Sequence, residues 1–162
     1  MLALLLAAAI VARPAPPSEP AAPRFDAIRF FTGATEGTAR LTIMLHHARA
    51  IRVHGSGHVT PDGTLVLDQR VEQEGKPPTT RQWRIREDAP GRYTGTLTDA
   101  TGPVTGETQG NRLHLAYRAK GGVRIDQWLT LSPDGRSAAN RLAARKLGMA
   151  VAHLHETIRK LD

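Results

Sequence analysis

The sequence of 162 residues contains no cysteine. This absence excludes disulfide bonds, thiolate metal sites, a cysteine nucleophile and attachment of a lipid through a cysteine. A chain of this length suits one domain with a single core. The packing of apolar side chains must therefore supply the stability that many exported domains take from disulfides.

Aromatic residues are also scarce, at 4% of the chain. Proteins that stack bases on aromatic side chains are therefore disfavoured, and we expect no nucleic-acid partner. The formal net charge of +7 arises from 22 basic and 15 acidic residues, which would suit an anionic membrane surface or another polyanion. The basic residues are scattered singly, however, which is more typical of a solvated face than of a binding stripe.

No apolar run approaches the roughly 20 residues that a membrane-spanning helix needs. Residues 1–12, MLALLLAAAIVA, form a shorter apolar run without any charge. This run is typical of a secretory signal, with small residues for cleavage near Ala9 or Ala12, although no lysine or arginine precedes it. An uncleaved anchor and a short buried helix are the alternatives. We expect a protein that is periplasmic or associated with the membrane on its extracytoplasmic side.

Residues 13–23 hold five prolines in eleven residues. Proline has a fixed φ and no amide donor, so this segment is predicted to be an extended linker. The folded domain is therefore predicted to span residues 24–162.

The folded part alternates short runs of period-two hydrophobicity with turn sequences. In residues 80–87, Trp83 and Ile85 share one face and polar residues occupy the other, which is typical of a half-buried strand. Pro-Asp-Gly turns occur at residues 61–63 and 133–135. The pattern predicts an all-β antiparallel barrel or sandwich, and we favour a single barrel of roughly 8–10 strands because closure removes exposed strand edges.

The C-terminal segments 137–146 and 149–161 leave two interpretations open. Both are rich in residues that favour helices, and by themselves they look like two helices interrupted at Gly148. In the context of the preceding strands, they would be a final pair of strands that closes the barrel.

Evenly spaced glycines occur at residues 102, 106 and 110. On one strand, this spacing would put all three on the same face and leave that face bare. Such a face would allow sharp coiling or the close approach of a neighbouring strand. Gly55 and Gly57 in turn predict a bulge or bend in an earlier strand.

No motif in the sequence indicates a reaction. Among the seven histidines, the pairs His54/His58 and His153/His155 do not supply the three or four converging ligands of a zinc site. Ser56 does not lie in the G-x-S-x-G pattern of a hydrolase nucleophile, and no phosphate-binding or dinucleotide motif is present. We therefore predict no catalytic residue, no metal and no cofactor.

Aromatic and charged residues remain as candidates for lining a ligand cavity. These candidates are Trp83, Tyr93, Tyr117, Trp128, Asp126 and Arg141. Inward residues of a small barrel either fill it or line one cavity, and large aromatics more often fill the core. Asp126 and Arg141 would form either an ion pair on neighbouring strands or polar groups inside the cavity. A cavity smaller than roughly 300 Å³ would count against a ligand site.

An ordered series of short motifs runs through the domain. It includes R-x-W at Arg81, Y-x-G at Tyr93, D-x-W at Asp126 and N-R at Asn140. The positions with a structural role in the series are Gly95, Asp99, Gly102, Gly106, Gly110, Asn111, Asn140 and Gly148. The series resembles the DUF3833 family of bacterial envelope proteins, whose function is not established.

The resemblance covers about residues 28–161 and implies a lipocalin-like antiparallel barrel, with strands rather than helices at the C-terminus. Members of this family are commonly tethered through a lipidated cysteine after the signal, and this chain has none. The resemblance therefore implies a protein that is soluble outside the cytoplasm or anchored by its apolar N-terminus.

We expect an exported, non-catalytic, monomeric barrel of the cell envelope that binds a lipid or another small apolar or amphipathic ligand. Two alternatives stay open. The first is a scaffold protein whose basic surface contacts anionic envelope material or an anionic membrane surface. The second is an enzyme of unknown chemistry, which would need polar side chains with perturbed pKa values converging in one cleft.

Overall fold

The computed structural model describes residues 23–161. This part of the chain contains one short helix, α1 (Ala27–Phe31), a 3₁₀ turn at Lys120–Gly122, and ten strands. The strands are β1 (Gly33–Ile43), β2 (Arg49–Val59), β3 (Leu65–Gln73), β4 (Thr79–Ala89), β5 (Arg92–Leu97), β6 (Val104–Gln109), β7 (Arg112–Ala119), β8 (Val123–Leu131), β9 (Ser137–Lys146) and β10 (Met149–Lys160). The predicted signal-like segment and all of the predicted linker except Pro23 lie outside the described residues.

The ten strands form a closed antiparallel barrel in which each strand pairs with its neighbours in sequence. β1 completes the ring, because it pairs with β2 on one side and with β10 on the other. Closure leaves no unpaired strand edge within the ring. The predicted all-β class and the single antiparallel barrel of 8–10 strands are thereby confirmed.

The ambiguous C-terminal segments are strands, not helices. β10 pairs with β9 along one edge and with β1 along the other, so it is the strand that closes the ring. Its inward face buries Ile158, and the inward face of β9 buries Ala138 and Ala144. Pairing and burial outweigh the local preference of these sequences for helix.

The helix α1 covers one end of the barrel, which we call the closed end. The Asp26 side chain accepts a hydrogen bond from the amide of Arg29 and caps the start of the helix. At the other end of the helix, the ammonium of Lys160 donates to the carbonyls of Arg29, Phe30 and Thr32 at 3.3, 3.1 and 2.6 Å. Lys160 therefore satisfies carbonyls that the short helix leaves without partners.

The apolar core lies against α1. Leu65, Val104, Leu113 and Leu129 are almost completely buried there, together with Phe25. The opposite end is bounded by the loops between β1 and β2, β3 and β4, β5 and β6, β7 and β8, and β9 and β10, and we call it the open end. The most completely buried apolar side chains therefore lie in the half of the barrel near α1.

Gly57 allows α1 to pack directly on the inner face of β2. A Cβ atom at this position would collide with the carbonyl group of Phe31. The register of β2 against both β1 and β3 is continuous through Gly55 and Gly57, so the predicted bulge is absent there. These glycines make room for inward neighbours rather than breaking the strand.

The prediction that Gly102, Gly106 and Gly110 share one strand face is wrong. Only Gly106 lies in a strand, β6, whereas Gly102 lies in the preceding connection. Gly110 lies in the hairpin between β6 and β7 with φ of 58°. β6 is only six residues long. Glycines spaced four residues apart therefore fall in β6 and in the connections on either side of it.

We expect Gly57→Ala to lower the free energy of unfolding by about 1–3 kcal/mol, because the new methyl group must displace backbone rather than a flexible side chain. Gly102→Ala is the matched control, since its Cβ would meet nothing within 4 Å, and we expect a change within about 0.5 kcal/mol. Urea denaturation of both variants measures the difference. Equal losses in the two variants would contradict the role assigned to Gly57.

Candidate functional site

Polar side chains from five strands converge on one cavity inside the barrel. They are Gln69 on β3, Arg81 on β4, Gln127 on β8, Asn140 on β9 and Glu156 on β10. Each lies at an inward position of its strand, beside the apolar residues of the closed half. We call this group the interior polar cluster.

One half of the interior polar cluster is centred on the amide oxygen of Gln69. Arg81 Nε donates to this oxygen at 2.7 Å, and the indole nitrogen of Trp83 donates to it at 2.9 Å. The guanidinium carbon of Arg81 also lies 5.9 Å from the centre of the Trp83 ring, within the range of a cation–π interaction. These contacts fix the position of the arginine charge inside the barrel.

The other half pairs Asn140 with Glu156. Asn140 Nδ2 donates to Glu156 Oε2 at 2.9 Å. Within residues 23–161, the amide oxygen of Asn140 is buried and has no hydrogen-bond partner. A buried acceptor without a partner is costly, so it marks a position where an additional donor would be stabilised.

Burial raises the pKa of the Glu156 carboxyl, and this effect outweighs the opposing effects of the Asn140 hydrogen bond and the Arg81 charge. Gly37 on β1 makes room for the carboxyl, since a Cβ there would collide with Glu156. The cluster therefore holds a protonatable group beside a fixed positive charge.

The cavity that the cluster lines is small, with a volume of about 50 Å³. This volume holds about three water molecules. It lies well below the roughly 300 Å³ at which ligand sites usually begin. By the criterion stated from the sequence, this volume counts against a pocket that encloses a whole ligand inside the barrel.

The barrel interior is less tightly filled towards the open end. Some inward apolar residues of that half, on β1, β3, β9 and β10, are only partly buried: Leu41, Ile43, Val71, Leu142 and Leu154. Others in the same half, such as Val53, Tyr117 and Ile125, are buried. The inward apolar residues near α1 are almost completely buried. The partly buried residues indicate that a part of the inner face is accessible from the open end, whereas α1 covers the closed end.

Three of the six predicted lining residues lie in the barrel core. Trp83 and Tyr117 pack edge to face with ring centres 5.6 Å apart, and Trp83 lines the cavity. Tyr93 instead supports the helix, because its hydroxyl accepts a hydrogen bond from the amide of Ala27 at 3.3 Å. Burial raises the pKa of both tyrosines.

The other three predicted lining residues, Asp126, Trp128 and Arg141, lie on the outer face. Strand alternation places Asp126 and Trp128 opposite the buried inward residues Ile125 and Leu129. Trp128 stacks on the ring of His114 at 5.0 Å. The prediction that these three residues line the barrel interior is therefore wrong, because the alternation of β8 and β9 places them on the outer face.

The predicted ion pair between Asp126 and Arg141 is also wrong. In the register of β8 and β9, Asp126 lies opposite Ala143, whereas Arg141 lies opposite Trp128. Asp126 is only 4% exposed although it is on the outer face, because basic side chains cover it. The covering atoms are Nε2 of His114 at 3.0 Å, Nε of Arg124 at 3.2 Å and a terminal nitrogen of Arg145 at 3.7 Å.

Most residues of the predicted structural motif lie in turns or at close strand contacts. Asp99 lies with Gly102 in the connection between β5 and β6, and Gly148 adopts a positive φ between β9 and β10. Asn111 donates from its side chain to the carbonyl of Leu131 at 3.0 Å. Gly95 faces the carbonyl of Arg84 so closely that a Cβ would collide with it. Asn140 differs from these residues, because it belongs to the interior polar cluster.

Sequence reasoning missed Gln69, Arg81, Gln127 and Glu156 as site residues. A signal was available in the strand period: Arg81 lies two residues before Trp83, and Glu156 lies two residues before Ile158. A charged residue on the apolar face of a predicted strand is a candidate for the barrel interior.

Within residues 23–161, no group of three or more His, Asp or Glu side chains is arranged to hold a metal ion. Over the same residues, none of the helices has the length and apolar character needed to cross a membrane.

These features define a closed, ten-stranded lipocalin-like barrel with a polar cluster in its interior. The chain belongs to the DUF3833 family, described as "Protein of unknown function", whose profile matches residues 5–160. The resemblance inferred from the ordered motifs is thereby confirmed. A search of curated proteins finds no match.

Several solved structures share the fold at low sequence identity. The S-type phycobiliprotein lyase CPES of Guillardia theta aligns with a TM-score of 0.66 at 6% identity, over 83% of this chain and 90% of the lyase. Rv2717c of M. tuberculosis aligns with a TM-score of 0.64 at 15% identity, over 84% of this chain and 96% of that one. A DUF3598 protein of unknown function from Nostoc punctiforme aligns with a TM-score of 0.60 at 10% identity, over 87% and 51%.

We expect the unfolding free energy of Glu156→Gln, relative to that of the wild type, to increase as pH rises. The folded wild type is stabilised relative to the unfolded chain when Glu156 is protonated, because its folded pKa exceeds the ordinary value of 4.5. The wild type loses this contribution as pH rises from that value through the folded pKa. Urea denaturation of both proteins between about pH 4 and pH 8 measures the difference in unfolding free energy. A difference that does not change with pH would contradict the burial effect.

Proposed function

We propose that this protein binds a small amphiphile through the open end of its barrel. The polar head of the ligand contacts the interior polar cluster, and its apolar portion lies against the partly buried inner face. One observation carries the proposal: a fixed guanidinium, a buried carboxyl and a buried amide oxygen without a partner converge on one cavity.

The cost of placing these groups inside a barrel supports a binding role. A core that served packing alone would be more stable with apolar side chains at Arg81, Asn140 and Glu156, because buried polar groups lose hydration. Ligand sites typically combine apolar walls with a few placed polar groups of this kind. The cluster is therefore better explained by recognition than by stability.

The chemistry of the cluster defines the ligand head. Arg81 offers N–H donors, whereas the amide oxygen of Asn140 is an acceptor. A carboxylate accepts hydrogen bonds from Arg81, whereas an amide or a protonated carboxylic acid accepts from Arg81 and also donates to Asn140. The cavity of about 50 Å³ accommodates only such a head, so the apolar tail extends towards the open end.

The structural neighbours support the fold on which this proposal rests. One of them is a phycobiliprotein lyase, so this barrel architecture also serves a protein with a defined biochemical role. Because the identity is only 6%, the likeness concerns the fold, and the function must be argued from the site.

We further infer that the protein is exported, monomeric and non-catalytic. The apolar run at residues 1–12 supports export, and the closed ring of strands supports a monomer. Within residues 23–161, the residues lining the cavity include neither serine nor histidine. A nucleophile activated by an adjacent histidine base is therefore not present in that lining.

Tryptophan fluorescence tests the proposed site. The chain has two tryptophans, and Trp128→Phe leaves Trp83, which lines the cavity, as the only reporter. We expect dodecanoic acid to change the emission of this variant in a saturable manner. Native mass spectrometry of protein purified from its own host should show a bound amphiphile.

In the same Trp128→Phe background, we expect Arg81→Gln to weaken dodecanoic acid binding by about tenfold, because a hydrogen bond from a charged donor is lost. Arg84→Gln is the matched control on the exposed face of the same strand and should leave the affinity unchanged. Saturable binding that is equally affected by the two substitutions would place the ligand elsewhere. The absence of any change in Trp83 emission would contradict the proposed function.

A further inference from the structure

Two leucines at the open end adopt a backbone conformation that leucine rarely takes. Leu45, in the loop between β1 and β2, has φ of 65°, and Leu147, in the turn between β9 and β10, has φ of 50°. Both side chains extend into solvent, with 96% and 90% of their surface exposed. A left-handed conformation is disfavoured for residues with a branched side chain, and glycine or asparagine is the usual choice.

Folding of the isolated chain gives no reason for leucine at either position. The two side chains are almost fully exposed, so they contribute little to the core. The left-handed backbone would be more favourable with glycine, as at Gly148 in the same turn. A function outside the barrel therefore explains these residues better than stability does.

The two loops lie side by side, because β1 and β10 are paired from Thr35↔Lys160 to Ile43↔Ala152. A hydrogen bond of 3.0 Å from the Met44 amide to the Val151 carbonyl continues this pairing into the loop region. Met44 and Met149, which flank the strand ends, are also exposed. We call Met44, Leu45, Leu147 and Met149 the apolar tip.

Basic residues accompany the apolar tip. Lys146 immediately precedes Leu147, and its ammonium lies about 4.0 Å from where a Cβ on Gly121 would be, in the turn between β7 and β8. The other basic residues and histidines of these loops and strand ends are His46, His47, Arg49, Lys120 and Arg145. The acidic residues Glu74 and Asp99 also lie at the open end, but in other loops. Glu74 is in the loop between β3 and β4, and Asp99 is in the loop between β5 and β6.

We propose that the apolar tip inserts into the interface of an anionic lipid bilayer, with the surrounding lysines and arginines contacting the head groups. Exposed leucine and methionine side chains beside cations fit a bilayer interface, where the apolar groups leave water and the cations meet anionic lipids. The four side chains come from two loops and strand ends, and each is more than half exposed, so a lipid surface fits them better than a folded partner. This proposal goes beyond the proposed ligand and does not depend on it.

Sedimentation with vesicles tests the insertion with the full chain. We expect the wild type to bind vesicles of phosphatidylcholine and phosphatidylglycerol, and to bind vesicles of phosphatidylcholine alone more weakly. Leu45→Gly/Leu147→Gly should weaken the binding by about tenfold for each leucine lost from the interface. The same variant should unfold at an equal or higher temperature than the wild type, because glycine accepts the positive φ. A weaker fold therefore cannot account for the loss.

The matched control is Val59→Ser/Leu161→Ser, which removes exposed apolar side chains at the closed end. Its vesicle binding should equal that of the wild type. The proposal is overturned if the wild type does not bind anionic vesicles. It is also overturned if the tip variant binds like the wild type, or if both double variants lose binding equally.

A site-specific probe distinguishes insertion of the tip from attachment through another part of the chain. Because the sequence has no cysteine, Leu147→Cys and Val59→Cys each carry a single label of the environment-sensitive fluorophore NBD. Addition of anionic vesicles should increase and blue-shift the emission at residue 147 but not at residue 59. No change at residue 147, or an equal change at both sites, would show that the apolar tip is not the inserted surface.

Discussion

The packing of α1 on the inner face of β2 is the contact that makes the two ends of this barrel different. Gly57 permits it, since any side chain there would strike the Phe31 carbonyl, and Lys160 secures it through three carbonyls of the α1 region. With one end filled by Phe25, Phe30 and the helix backbone, the most completely buried apolar side chains lie in that half. The other half of the inner face is left partly covered, which gives a symmetric ring of strands two unlike ends.

The interior polar cluster lies where these two halves meet. Its members face apolar neighbours on the side of α1 and less tightly packed residues on the side of the open end. Arg81 is held by Gln69, and Glu156 is held by Asn140. A charge and a carboxyl in such surroundings interact with anything polar that reaches them more strongly than they would in water, because the local dielectric constant is low. The fold therefore concentrates its recognition chemistry in a very small volume.

The sequence predicted many of the strands, because period-two patterns such as that of residues 80–87 alternate with turn sequences. It left β9 and β10 open, because their residues favour helices. It predicted the site poorly because the contacts of the site join distant residues. Gln69 meets Trp83 across 14 residues, and Asn140 meets Glu156 across 16. The aromatic character of Trp128 favours an interior position, whereas the alternation of β8 places it on the outer face. The need for glycine at position 57 also could not be predicted from the sequence of β2, because it depends on the Phe31 carbonyl of the helix α1.

Both ends of the described chain lie at the closed end of the barrel. The amide of Phe25 donates to the carbonyl of Gly110, and the amide of Leu161 donates to that of Ala34. Immobilisation or fusion through either of these ends should therefore orient every molecule in the same way, with the open end directed away from the support. This geometry suits surface-based binding assays, in which a uniformly accessible site gives a single class of binding kinetics.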